Sequence, residues 1–344
     1  MTEKELRKFK RGIRNNRTLE AAKSFFCSPL GKKIIEGKSK TTNPFQICLR
    51  DNYFNIYWSG CSVMKYSPEA WKNKYTIHHK YVHGKEGKNA YLSMVPHEET
   101  QVHDLITETN KGWSFYGNIV EPAINGCQVP VLNDYVDKSD GNRLKEKALL
   151  KLYLESAERP FLIDLEVAFS RLNENNKPVA DRIDMAEIVY DEKMIPVLRL
   201  VEVKASDDSR LRAQAASSLK EDPKKIMYQM NLYQNFLDNE MTRIAESYRL
   251  VASNMLELGF DKYMKGIANR SATDVLQDFA ERGIVDPKPH LLVLYSVQDR
   301  YVEDAHFQFL QELIAQKYPP LRHVCVNGDR KIPAIPGHPA NPLK

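Results

Sequence analysis

The chain has 344 residues, 42% of them apolar and 28% charged, with a formal net charge of +5. That composition belongs to a globular protein with a sizeable core and room for two domains. No apolar run approaches the roughly 18 residues of a membrane span, so no membrane partner is expected. Five cysteines (Cys27, Cys48, Cys61, Cys127, Cys325) are odd in number and form no Cys-x-x-Cys pair. This argues for thiols in a cytoplasmic protein and against a disulfide frame or zinc ribbon. The first residues are charged, which predicts no secretory leader. Residues 1 to 40 hold twelve Lys/Arg against four Glu, a net +8 that leaves the rest at −3. Such an arm is either a phosphate-contacting element or a solvated helical face.

Residues 2 to 36 read as one or two helices. Leu6, Phe9 and Ile13, then Leu19, Ala22, Phe25 and Phe26, recur at helical spacing, and Ser28-Pro29 marks a break. From Pro44 the period becomes that of strands. Phe45–Leu49 and Tyr53–Trp58 flank Arg50-Asp51-Asn52 as a hairpin, and further strand-like pieces fall at 75–81, 90–95 and 113–120. Residues 1–138 are thus expected to form a basic helical arm and a mostly β accessory region. Its Tyr and Trp residues serve either as core or as a stacking platform for single strands. His78, His79 and His83 lie on extended chain, which spoils an i, i+4 zinc geometry.

The turn-rich DKSDGN at 137–142 opens a second unit, 139–330. A helix is expected over 143–158, with Leu144, Ala148, Leu149 and Leu152 on its apolar face and Glu146 and Glu155 at the margins. A strand follows at 160–171, with Asp164 and Glu166 on the face opposite its apolar residues. After a hairpin at 180–206, Pro223 opens a further helix. A helical insertion at about 241–288 breaks near 266–271 and restarts at a Thr273-Asp274 cap. A buried strand at 290–297, a helix at 303–316 and a strand at 322–326 complete an α/β unit, and a Pro-rich tail occupies 331–344.

The hairpin holds the chemistry. Its strands are apolar, yet Asp184 interrupts the first, and Glu202 and Lys204 end the second. Alternation puts Glu202 and Lys204 on one face. Carboxylates from adjacent strands suit a hard divalent cation, which prefers oxygen ligands, and the lysine suits water activation or phosphate charge. Gln229 and Tyr233 stand at i and i+4, on one face of the next helix. Arg210 and Arg212 follow the second strand directly, either placed to reach a phosphate or as solvated loop residues.

In that order and spacing, Asp184, Glu202-Val203-Lys204 and Gln229-x-x-x-Tyr233 resemble the PD-(D/E)xK nuclease superfamily, specifically its RecB-like branch, over residues 140 to 330. The resemblance implies a restriction-endonuclease-like αβββαβ core with a mixed sheet. It implies Mg²⁺ (or Mn²⁺) bound by Asp184, Glu202 and the carbonyl of Val203, with Lys204 positioning water or stabilising the pentacovalent phosphate. Gln229 and Tyr233 would lie beside the active site. A glutamate from the helix before the sheet often completes the metal shell, here Glu146 ahead of Glu155, and an upstream histidine, His97 or His103, is a further candidate. Some RecB-like nucleases hold an iron–sulfur cluster through cysteines after the helix. Only Cys325 follows the motif here, so no cluster is expected.

The implied activity is phosphodiester hydrolysis in DNA, with RNA left open, in repair, recombination or defence against foreign DNA. Two other readings stand beside it. One is a nuclease-like fold that grips nucleic acid or a partner without cutting, for which the unmatched first 130 residues speak. The other is a small-molecule enzyme on an unrelated α/β fold. The N-terminal region is also the candidate contact for a partner protein or a second copy of the chain.

Overall fold

The computed structural model describes residues 8–36, 45–58, 61–68, 73–78, 91–94, 136–137, 143–144, 146–156, 160–172, 175, 177–212, 222–295 and 320–326. The pieces expected at 113–120 and 303–316 lie outside these residues, as do Leu6, His79, His83, His97, His103 and the tail. No helix among the described residues is long and apolar enough to cross a membrane. Cys27, Cys48 and Cys325 are free thiols.

The N-terminal helix begins later than its apolar spacing suggests. Residues 8–15 are not helical, although Phe9 and Ile13 are buried. Gly12 has φ +85°, and a Cβ there would stand 2.8 Å from the Leu250 side chain. Neither a helix nor a larger residue fits that passage. Asn15 then caps α1 (Asn16–Cys27), its side chain accepting from the amides of Arg17 and Thr18. The chain breaks at Ser28 into α2 (Pro29–Glu36).

Five strands follow: β1 (Phe45–Leu49), β2 (Phe54–Trp58), β3 (Cys61–Pro68), β4 (Asn73–His78) and β5 (Tyr91–Met94). They form an antiparallel sheet in sequence order. The expected first hairpin pairs Leu49 with Phe54 around the 50–53 turn. Phe54, Tyr57 and Tyr66 are fully buried, so these three aromatics are core. Two short strands, β6 (Val136–Asp137) and β7 (Arg143–Leu144), then pair with each other. Leu144 is therefore in a strand, and α3 covers only Glu146–Glu155.

The second sheet is mixed. It contains β8 (Phe161–Leu172), β9 (Pro178–Tyr190) and β10 (Pro196–Ala205), then, after α4 (Ile226–Glu257) and α5 (Ala272–Arg282), β11 (Ile284–Val285), β12 (His290–Tyr295) and β13 (Leu321–Cys325). The order is β13-β12-β10-β9-β8, with β11 beside β10. β8, β9 and β10 run antiparallel, whereas β11 and β12 are parallel to β10 and β13 to β12. The fold is thus α/β. α4 is one helix of 32 residues, so the boundary expected near 241 falls inside it. It starts after Lys225 rather than at Pro223. The cap of α5 is Ser271, in a reciprocal capping box with Asp274, two residues before the expected Thr273.

Strand alternation sorts the sheet's two faces. Val201, Val203 and Ala205 pack with Leu149, Leu150, Tyr153 and Leu154 of α3. Leu198 and Leu200 pack with α4 and α5 through residues such as Ile226, Met230, Tyr233, Leu276 and Phe279. Phe9, Phe26, Leu49, Phe54 and Tyr66 belong to that same cluster, so the N-terminal elements share one continuous core with the second sheet.

Asp164 joins the two regions. The register of β8 against β9 shifts between Leu162 and Asp164, a bulge that re-aims a side chain. Its carboxylate accepts from Arg50, from Arg11 Nε at 3.2 Å and from the Tyr248 hydroxyl at 2.8 Å. The side chains of Asp164, Arg50 and Arg11 are 1%, 4% and 8% exposed. Glu166 accepts from the Tyr57 hydroxyl at 3.1 Å. Both acids face the N-terminal region, and neither joins Asp184. Removing one member of a buried pair strands its partner's charge, at a cost of about 3–5 kcal/mol. Asp164→Ala should lose that much in urea denaturation, and a loss below about 1 kcal/mol would contradict the clamp.

Candidate active site

The ladder between β9 and β10 ends at Met185↔Val201. β9 stays with β8 as far as Pro178↔Leu172, while β10 continues along β12 from Val201 to Ala205. The two strands fork at this point, and Asp184 and Glu202 stand just beyond the last pair. The amide of Val203 points across the fork and donates to Asp184 Oδ2 at 2.7 Å. A carboxylate thus replaces the missing strand partner.

Glu202 and Lys204 continue the row of Leu198 and Leu200, so they face α4. There the helix returns two polar side chains one turn apart. Gln229 Nε2 donates to Glu202 Oε1 at 2.8 Å and also contacts the Tyr233 hydroxyl. That hydroxyl lies 2.7 Å from the Arg182 carbonyl and 3.0 Å from Glu202 Oε2. Tyr233 is therefore core by its ring, which packs edge-on against Phe169, and part of the site by its oxygen.

Lys204 completes the floor. Its ammonium donates to Glu202 Oε1, to the Val203 carbonyl at 2.6 Å and to Asp184 Oδ2 at 3.4 Å. Glu146, the first residue of α3, brings Oε2 to 3.9 Å from the same nitrogen. Arg210 follows on a short 3-10 turn, gripped by the Asp208 carboxylate and 3.8 Å from Glu146. Arg212, at the end of that turn, is half-buried. Among the described residues no three His, Cys, Asp or Glu side chains converge as a ready metal cluster. The acids are instead gathered around the lysine.

Electrostatics follow from burial. The side chains of Glu202 and Lys204 are each 2% exposed, whereas Asp184 and Glu146 are about a third open. Burial, then the nearby charge of Asp184, pushes Glu202 up to about 8. Burial also lifts Glu146, to about 6, although Lys204 opposes it. For Lys204 burial disfavours the charge, but Asp184, Glu202 and Glu146 outweigh it and raise the pKa. The Tyr233 phenol is raised by burial and by Glu202. Asp208 stays low despite its burial because Arg210 donates to it. A buried ion pair is often less stabilising than apolar residues of the same volume, so stability alone gives no reason for Glu202 and Lys204 to be here. Perturbed acids beside a fixed ammonium are what functional sites concentrate.

The residues expected to act together, Asp184, Glu202, Val203, Lys204, Gln229, Tyr233, Glu146 and Arg210, are brought together here. His97, His103 and the side chain of Glu155 lie outside what the structure describes. Two participants were not anticipated from sequence. The Arg182 carbonyl holds Tyr233, a backbone role with no residue-type signal. Asp208 aligns Arg210, and its acidic-x-basic spacing was the available clue. No family model matches the chain, and neither a curated protein nor a solved structure matches it.

Burial and the nearby Asp184 charge raise the folded-state pKa of Glu202 to about 8, against about 4.5 when unperturbed. Its contribution to stability is therefore full below about pH 4.5 and is lost as pH rises through 8. Glu202→Gln is neutral in both states. In EDTA, its thermal stability should lack the wild-type decline between about pH 5 and 9. Parallel pH profiles for the two proteins would contradict a buried carboxylate of raised pKa.

Proposed function

We propose that the chain is a divalent-metal-dependent nuclease that hydrolyses phosphodiester bonds, with DNA as the substrate and RNA as the variant to test. The carrying observation is the convergence, at one strand fork, of Asp184, Glu202, Lys204, Gln229 and Tyr233. The helix–three-strand–helix order of α3, β8, β9, β10 and α4 followed by β12 supports a restriction-endonuclease-like core. The donor set fits a hard cation: carboxylates of Asp184, Glu202 and Glu146 and the Val203 carbonyl are all oxygens. Mg²⁺ or Mn²⁺ held by them would lower the pKa of a coordinated water and screen the phosphate charge.

The chain's own residues supply the rest. Tyr233 and Gln229 fix both oxygens of Glu202, so the buried carboxylate keeps one orientation. Asp184, tied to the Val203 amide, holds the facing strand in place. Lys204 places a positive charge where charge develops on the phosphate, which is worth most in a site shielded from water. Arg210, aligned by Asp208, offers a guanidinium to a neighbouring phosphate. Glu146 forms the third oxygen-bearing wall, its pKa raised by burial although Lys204 opposes the shift. A cytoplasmic setting and roles in repair, recombination or defence accord with this reading.

The test is cleavage of linear, circular and single-stranded DNA, and of RNA, with Mg²⁺, Mn²⁺ or EDTA. Wild type should cut with metal only, and Lys204→Ala should lose at least about 10²-fold in rate. Circles that resist cutting would mark an exonuclease. Tight, salt-sensitive binding without any cutting would replace this reading with a non-cleaving binding module.

A further inference from the structure

Building on the metal-site reading above, we propose that Lys204 is an internal stand-in for the metal: in the resting protein its ammonium holds the oxygen set together, and a divalent ion enters only by displacing it. The contacts carry this. The ammonium touches Glu202 Oε1 and lies 2.6 Å from the Val203 carbonyl, 3.4 Å from Asp184 Oδ2 and 3.9 Å from Glu146 Oε2. An ammonium has three protons and no acceptor, and the three nearest oxygens take all three. Those three oxygens, with Glu146, come from the same four residues that would bind a hard cation.

One position cannot serve both cations. Mg²⁺ draws its oxygens to about 2.0–2.1 Å in a near-octahedral shell, which leaves no contact distance for an ammonium on the same atoms. Two positive charges that close also repel strongly in a shielded site. The lysine is held on its inner side by Glu202, whose side chain is as buried as its own, while Asp184 and Glu146 are the more open members. A displaced ammonium therefore leaves past Asp184 and Glu146, on the side where Arg210 stands.

An expelled ammonium needs a new anion, and a substrate phosphate is the anion that would arrive at that opening. Metal and phosphate backbone then favour each other's binding. The coupling is reciprocal, since each reduces the work of displacing Lys204 for the other. Without nucleic acid the lysine keeps metal occupancy low, which holds the site inactive until substrate is present.

The experiment uses the full chain and Mn²⁺ alone, without nucleic acid, with free Mn²⁺ read by electron paramagnetic resonance. Lys204→Met should bind Mn²⁺ at least about tenfold more tightly than wild type, and Glu202→Gln more weakly. In parallel, wild-type lysines are labelled with an amine-reactive ester and mapped by mass spectrometry. Labelling of Lys204 should rise several-fold at saturating Mn²⁺, while exposed Lys224 stays unchanged. If Lys204→Met fails to fold, the labelling decides. Saturable Mn²⁺ binding to wild type with no gain in Lys204→Met, or with Lys204 still unlabelled, would overturn the stand-in role and leave the metal site intact. Absence of Mn²⁺ binding in wild type and Lys204→Met alike would overturn the metal reading itself.

Discussion

The backbone of Val203, its N–H and its carbonyl, is the point on which the site turns. The ladder between β9 and β10 stops two residues earlier, so the Val203 amide would be an orphan donor in a buried strand. Asp184 satisfies it, and the carbonyl of the same residue accepts from Lys204. The backbone N–H and C=O of one residue thus fix a carboxylate and an ammonium, on adjacent strands. A buried backbone donor left unpaired costs roughly 1–3 kcal/mol, so the fork is stable only while Asp184 closes it. The same hydrogen bond that repairs the sheet presents the acid to the site.

Around that fork, the apolar framework leaves little freedom. β10 is buried along nearly all its length, with α3 against one face and α4 and α5 against the other. Glu202 and Lys204 are the polar end of an otherwise apolar row, and α4 meets them with its own polar pair, Gln229 and Tyr233. α4 also reaches the N-terminal region. Asn254 accepts from the Ile13 amide at 2.7 Å, and Tyr248 donates to Asp164. The helix that orients Glu202 is therefore also held by Phe9 and Ile13, and by Asp164. A long rigid helix is a better support for a fixed carboxylate than a loop.

Much of the site was legible because two short periods do the placing. Glu202 and Lys204 share a face through strand alternation, and Gln229 and Tyr233 through the helical turn, whatever the surrounding fold. The strands of the α/β unit were legible from the apolar runs at Phe161, Ile183, Val197 and His290, whereas their mixed pairing was an expectation from the resemblance. What escaped depends on distant partners. Asp164 and Asp184 look alike as lone acids in apolar strands, yet Asp164 is claimed by Arg11 and Arg50, more than a hundred residues away in sequence, after a bulge that periodicity does not register. The start of α1 was misplaced because Phe9 and Ile13 are buried by packing on α4 rather than by helical repetition. The continuity of α4 through 241 was hidden by the polar run Asp238-Asn239-Glu240, of which Asp238 and Asn239 are exposed and Glu240 is half-buried.

The most direct measurement is the anomalous scattering of Mn²⁺ in a crystal grown with a short DNA duplex. A Mn²⁺ peak is expected at about 2.1 Å from oxygens of Asp184 and Glu202 and from the Val203 carbonyl, with Lys204 moved onto a phosphate oxygen. A peak elsewhere, or DNA bound away from the fork with Lys204 still on Glu202, would contradict it.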